Sequence, residues 1–330
     1  MDKNYPEKSM EGYGPLWNFW DGPRAASQQS EYPEENGFLF YDNLVRGAGV
    51  GHCLTSYNHG LIMAMDNNMT YLPEPLVCGH NLGRDGLFEF AMGLPDCAGA
   101  RKVVRRRMPD RITEVKYNPA VARCTLNNDF SRTKEYFNNC YKNRGLVFKT
   151  SMVPNKINIC INIRRGDILL VDEIKSNEAV TKRILPDNYY IRALDFIIKK
   201  NSLAKGSYHV HVFSDGDQGV SEDNGGNANY INEHGKVTDV KNLFEKYGLE
   251  NVSFTIGEDT KTIYKTIQAC SESDIFIASN SGFSSAISLY LKEDSLTILP
   301  DQYSFHPYHA PNYIKFHTDE KKHLKYYFKK

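Results

Sequence analysis

The chain has only two tryptophans and no C-x-x-C pair among its seven cysteines (Cys53, Cys78, Cys97, Cys124, Cys140, Cys160 and Cys270). Without that spacing, zinc-finger and thioredoxin-type frameworks are excluded. An odd cysteine count in a chain this long points to reduced thiols. Neither sign of charge prevails, since forty Lys and Arg residues balance forty Asp and Glu. General nucleic-acid binders carry a basic excess, so any anion site here has to be local. No apolar run is long enough to span a bilayer. The opening Met1–Ser9 lacks the apolar core of a secretory signal, so the sequence as written is expected to be cytoplasmic.

What is present is a globular composition, 41% apolar and 24% charged over 330 residues, enough for two domains that each bury a core. Residues 1–36 are rich in Pro, Gly, Ser, Gln and Glu and read as an irregular arm. The most patterned stretch is Lys156–Asp167. In it Ile157, Ile159, Ile161 and Ile163 alternate with Lys156, Asn158, Cys160 and Asn162, the period of a β-strand. The strand runs into Arg164-Arg165-Gly166-Asp167, with Asn162 and Arg164 on the side opposite the isoleucines. Polar groups at the carboxyl end of an apolar strand stand where open α/β sheets bind ligands. An arginine there suits phosphate, because its planar fork donates two hydrogen bonds and stays charged. Read alone, the same residues also describe a salt-bridged surface pair.

Around this strand the pattern alternates between strand and helix, which defines an α/β protein. Gly37–Tyr41 is a predicted strand. Val45-Arg46-Gly47-Ala48-Gly49-Val50-Gly51-His52 then leads into a helix with Leu54, Tyr57, Leu61, Ile62 and Met65 on one face. Those glycines serve either a loop that a diphosphate approaches closely or a tight turn that needs positive φ. The kinase-type phosphate loop is excluded because His52-Cys53 stands where Gly-Lys-Ser/Thr would be required, and the dinucleotide fingerprint because its third glycine is not at the required spacing. Met69–Leu72 reads as a strand, and Arg101, Lys102 and Arg105–Arg107 as a solvated basic face. Further strands are expected at Tyr208–Phe213, Val252–Ile256, Asp274–Ala278 and Leu296–Leu299, the last closing the sheet before Pro300. Helices are expected from Pro186, over Thr238–Tyr247 and Thr262–Cys270, and over Phe283–Leu291. Ser279-Asn280-Ser281-Gly282 supplies both capping groups and free N–H donors at the start of the last helix.

Three of these features recur in a fixed order that resembles the α1,2/α1,6/protein-O-fucosyltransferase group, closest to its α1,2 branch. They are Asn162-Ile163-Arg164-Arg165-Gly166-Asp167, against the group's His-x-Arg-Arg-x-Asp; Leu185-Pro186-Asp187-Asn188-Tyr189-Tyr190-Ile191-Arg192-Ala193-Leu194; and Ser279-Asn280-Ser281-Gly282-Phe283-Ser284. Phe213-Ser214-Asp215 matches a fourth, shorter segment. The resemblance covers roughly residues 37–305 and is most specific in the second half. It implies a GT-B architecture, two Rossmann-like domains facing across a cleft. Residues 37–150 would form the acceptor side and 151–330 the nucleotide-sugar donor domain. It further implies inverting transfer of L-fucose from GDP-β-L-fucose to a glycan hydroxyl, with no metal and no other cofactor. No nucleic acid and no membrane span enter this reading, and a Golgi-lumen location would require a targeting segment since removed.

Under that resemblance Arg164, held by Asp167, stabilises the departing diphosphate, with Arg165 in support. Asn280, Ser281 and Ser284 hold the pyrophosphate, Asp215 contacts the nucleoside, and Gly49, Gly51 and His52 close the cleft. Asp172 and Glu173 are candidates for the general base. Asn162 replaces the family's histidine, which keeps hydrogen bonding and loses the ring's titration. Two rivals follow from the same residues. Asp215-Gly216-Asp217 has the Asp-x-Asp spacing that holds Mn²⁺ in metal-dependent transferases of another fold. The asparagine also admits a relative that uses a different nucleotide sugar, or one that binds without turnover.

Overall fold

The computed structural model describes residues 37–42, 49–74, 76, 87–95, 97–116, 130–164, 185–215, 240–245, 248–249, 251–256, 260–301 and 310–317. Within them the chain is α/β with two sheets, and every strand pairing is parallel.

The smaller sheet holds β1 (Phe38–Asp42) at its centre, flanked by β2 (Thr70–Tyr71) and β3 (Ile112–Lys116). Helix α1 (Val50–Asp66) crosses from β1 to β2 and buries Leu54, Tyr57, Leu61 and Ile62, the face its periodicity predicted. Two short helices, α2 (Leu87–Met92) and α3 (Ala98–Arg107), precede β3, and α4 (Lys134–Lys142) follows it. The basic cluster on α3 is only partly a solvated face. Lys102, Arg105, Arg106 and Arg107 are exposed, but Arg101 is buried. Arg101 donates to the Leu72 carbonyl at 2.6 Å and lies 4.3 Å above the Phe40 ring. The rotation of the helix explains the difference: position 101 shares the buried side of α3 with Ala100 and Val104.

The larger sheet has the order β6-β5-β4-β7-β8-β9, from β4 (Ile157–Ile163), β5 (Tyr208–Ser214), β6 (Val252–Ile256), β7 (Ile275–Ile277), β8 (Leu296–Pro300) and β9 (Asn312–Phe316). Counted from β4, that is the 3-2-1-4-5-6 order of the doubly wound nucleotide-binding fold. β8 does not close the sheet as expected, because β9 pairs beyond it from Leu296↔Asn312 to Pro300↔Phe316. β9 was hard to read because Lys315 interrupts its apolar run at an edge.

Both faces of β4 are covered, as a central parallel strand requires. Ile159, Ile161 and Ile163 pack with α5 (Asp187–Lys200) and α6 (Val240–Glu245). Cys160 packs on the other side with residues of α7 (Thr260–Glu272) and α8 (Gly282–Ser288). Helix α5 follows from its sequence. Pro186 is extended before its first turn, Asp187 favours its positive end, and Lys199 and Lys200 its negative end. Its Tyr189 is wholly buried and donates its hydroxyl to the Ala278 carbonyl at 3.1 Å, which ties α5 to the end of β7. Each large apolar side chain buried in these layers contributes about 1.5–3 kcal/mol. The cluster on the α7/α8 side is continuous with Leu39, Tyr41, Leu54 and Tyr57 of the smaller sheet's layer, so one core joins the two sheets.

Candidate functional site at the carboxyl edge of β4 and β7

In an open α/β sheet, ligands bind outside the carboxyl ends of the strands where the strand order reverses. Here that point lies between β4 and β7, which pair from Ile159↔Ile275 to Ile161↔Ile277. β4 ends in Ile163-Arg164 and β7 in Ala278-Ser279-Asn280-Ser281, so topology alone brings two of the sequence motifs together.

Asn162 is buried below this edge. Its Oδ1 accepts hydrogen bonds from the Ser279 hydroxyl at 2.9 Å and the Ser284 hydroxyl at 3.1 Å. The Ser284 hydroxyl also accepts from the Ser279 N–H at 3.0 Å, and Ser281 caps α8 by accepting from the Ser284 N–H at 3.1 Å. Asn162 and Ser284 form a closed polar network that sets the position of the β7–α8 turn, whereas a histidine at 162 was associated with nucleotide contact. Ser279 is the hub that sequence reasoning passed over, although its place in a serine-rich strand end was a usable signal. Asn280 is fully buried beside it.

Arg164 stands at the rim, partly exposed, with its Nη1 2.7 Å from Asp215 Oδ2. The pairing follows from register: Ile163 faces Ser214, so the next residues of β4 and β5 stand side by side. Asp215, expected to contact the nucleoside, engages Arg164 through its carboxylate. That also weakens the Asp-x-Asp reading, since a guanidinium cation already faces the first of the two carboxylates. Arg165, Asp167, Asp172 and Glu173 lie outside the described residues, as does Asp217.

The smaller sheet meets this edge through α1. Gly49 precedes the helix with φ −69° and ψ 167°, so no left-handed backbone explains it. Gly51 has a different reason. A Cβ there would stand 2.3 Å from the carbonyl carbon and oxygen of Gly282, so the start of α1 touches the start of α8 backbone to backbone. A small cavity beside this contact is lined by Gly51, His52, Thr55, Phe130, Gly282, Ser285 and Ala286. His52 is exposed at its side. Phe130 carried no recognisable signal in the sequence, whereas Ser285 and Ala286 fall within the recognised helix start. The chain thus gathers Gly51 and His52 against the α8 turn, and Asn162 and Arg164 beneath and beside it.

Deeper on the same sheet face, His211 pairs in register with Cys160. Its Nε2 meets Thr255 Oγ1 at 2.9 Å, its Nδ1 contacts Ser151 Oγ, and its ring stacks 4.2 Å from that of Phe213. Burial pushes its pKa down to about 4, which keeps the ring neutral near pH 7. It supports Phe213, the register partner of Asn162.

The fold and edge together define a doubly wound α/β protein with an arginine at its switch point. No family model and no curated protein matches the chain. Among solved structures, a glycosyl transferase family 9 protein from Veillonella parvula is similar over 85% of this chain and 86% of that one, at 10% identity and a TM-score of 0.34. A likeness so remote carries no argument about activity. Among the described residues, no helix is long and apolar enough to cross a membrane, and Cys140, Cys160 and Cys270 carry free thiols.

Proposed function

We propose that the protein is an inverting, metal-independent glycosyltransferase that moves L-fucose from GDP-β-L-fucose to a glycan hydroxyl. One observation carries the reading: Arg164 stands at the strand-order switch of a Rossmann-ordered sheet, oriented by Asp215 and backed by the Asn162–serine network. As GDP departs, negative charge develops on the β-phosphate oxygen while the sugar becomes oxocarbenium-like. A fixed guanidinium in a partly dry edge stabilises that charge without reorganising, the role a divalent metal has in other transferases. Gly51 and His52 border the same edge from α1, where a sugar would enter. The choice of fucose and of guanosine rests on the motif resemblance.

The test is a turnover and thermal-shift screen of GDP-fucose, GDP-mannose and UDP-sugars, with and without EDTA, beside an Arg164→Ala control. The expected result is a GDP-fucose response that survives EDTA and falls on the order of 10²–10³ in rate in the variant. A response to UDP-sugars alone would remove the fucose assignment. Binding of GDP-fucose with no turnover would remove the catalytic one.

A further inference from the structure

The ladder places more than Arg164 along this edge. Ile161 pairs with Ile277 and Ile277 with Ile298. Arg164 follows the last residue of β4 and Asp301 the last residue of β8, while Asn280 lies in the turn that leads from β7 into α8. Pro300 pairs with Phe316, and the Asp301 N–H donates to the Phe316 carbonyl at 2.9 Å, so His317 is level with Asp301. Asp215, Arg164, Asp301 and His317 thus form a row along the carboxyl ends of β5, β4, β8 and β9, with Asn280 past the end of β7 between them. By strand alternation Asp215, Arg164, Asp301 and His317 share the sheet face of Phe213, Asn162, Leu299 and Lys315. The row carries two charged pairs with buried Asn280 between them. One is Arg164–Asp215. The other joins His317 Nδ1 to Asp301 Oδ2 at 2.6 Å, with side chains 13% and 18% exposed.

We infer that His317, oriented by Asp301, is the general base that takes the proton of the attacking hydroxyl, an inference that rests on the transferase reading above. With Nδ1–H donating to the carboxylate, the lone pair stands on Nε2, the tautomer a base requires. Among the described residues only Asp301 bonds the ring. Three strand spacings separate His317 from Arg164, about 14 Å between backbones. The Arg164 guanidinium turns to Asp215 on β5 and the imidazole to Asp301 at the end of β8, so the donor's sugar and diphosphate span the interval between them. An inverting transfer needs this separation, because the hydroxyl attacks the sugar face opposite the departing diphosphate. The base must therefore stand a sugar ring away from the phosphate clamp. In the step, the acceptor O–H proton passes to Nε2 as the acceptor oxygen bonds the anomeric carbon. The bond from that carbon to the β-phosphate oxygen breaks, and its electron pair leaves with GDP beside Arg164. Asp301 is a positioning residue for the imidazole.

The experiment uses GDP-fucose with water as acceptor, GDP release as readout, and GDP affinity by calorimetry. His317→Ala is expected to lower kcat about 10²–10⁴-fold, with GDP affinity unchanged and part of the rate restored by added imidazole. Asp301→Asn is expected to lower kcat less and to leave GDP affinity alone. His317→Gln, matched to wild type in thermal midpoint, guards against loss of fold. Wild-type kcat in folded His317→Ala or His317→Gln overturns the inference while the transferase reading stands. So does a loss that imidazole leaves unrestored and that tracks weakened GDP binding. Failure of the wild-type protein to bind GDP or to hydrolyse GDP-fucose defeats the transferase reading, and the inference with it.

Discussion

Replacing Gly51 with alanine isolates the contact on which the two sheets meet. In an ordinary helix the change would stabilise, by up to about 1 kcal/mol. Here the new methyl would stand 2.3 Å from the Gly282 carbonyl, where Cβ contacts below 3.0 Å essentially never occur. The obstacle is backbone, so no side chain can rotate away, and α1 must move from α8 by about 1 Å to reach ordinary contact. Forced repacking of that kind costs about 1–3 kcal/mol, which offsets the propensity gain and leaves a net loss of up to about 2 kcal/mol. Gly99 is the internal control. It lies in α3, is exposed, and a Cβ there would meet nothing within 4 Å. Gly99→Ala should therefore stabilise by a few tenths to about 1 kcal/mol. Urea unfolding of both variants, with slopes equal to wild type, reads the two signs directly. If Gly51→Ala raised the midpoint as Gly99→Ala does, the backbone contact between α1 and α8 would be refuted.

Arg101→Ala should cost about 1–3 kcal/mol, because it strands the Leu72 carbonyl and empties the place above Phe40. Arg106→Ala, on the exposed side of the same helix, should stay within about 0.5 kcal/mol in the same titration. Asn162→Ala leaves the Ser279 and Ser284 hydroxyls without their shared acceptor and should lower stability by about 1–3 kcal/mol, measured by denaturant midpoint. For His211 the folded pKa of about 4 lies below the ordinary 6.5, so the unfolded chain takes up the proton first. Its contribution is whole above pH 6.5 and is lost as pH falls towards 4, by up to about 3 kcal/mol. His59 and His209, also lowered by burial, steepen the same slope. Unfolding midpoints at pH 7.5 and 5 should differ less in His211→Gln than in wild type, and an unchanged difference would refute the assignment.

The central strand was legible because alternation of isoleucine with smaller or polar residues survives whatever packs on either face. The β7 and β8 runs and the helix after Pro186 were legible for the same reason, each carrying an apolar period strong enough to stand alone. β3 and β9 were not. Thr113 and Glu114 break the period in β3, and β9 offers only Ile314 and Phe316 on its buried side, each in an edge strand that has only one paired side. Arg101 reads in sequence like its neighbours Lys102 and Arg105, and only the rotation of α3 against Phe40 separates a buried guanidinium from solvated ones. Glycine misled in a similar way. Sequence offers loop and turn as reasons for Gly51, while the operative reason is a helix more than two hundred residues further along the chain.

By itself, the sequence determined the α/β class, the strands β4 to β8 and the residues at their carboxyl ends, because local periodicity and turn chemistry act over a few residues. Tertiary structure decided which of those ends meet. The 3-2-1-4-5-6 order makes β4 and β7 neighbours although more than a hundred residues separate them, and that adjacency turns Asn162, Ser279 and Ser284 into one network. Register then chose Asp215 as the partner of Arg164 and set His317 beside Asp301. Hydrogen-bond ladders fix residues level with one another to within a single step, and no pattern read along one strand contains that information.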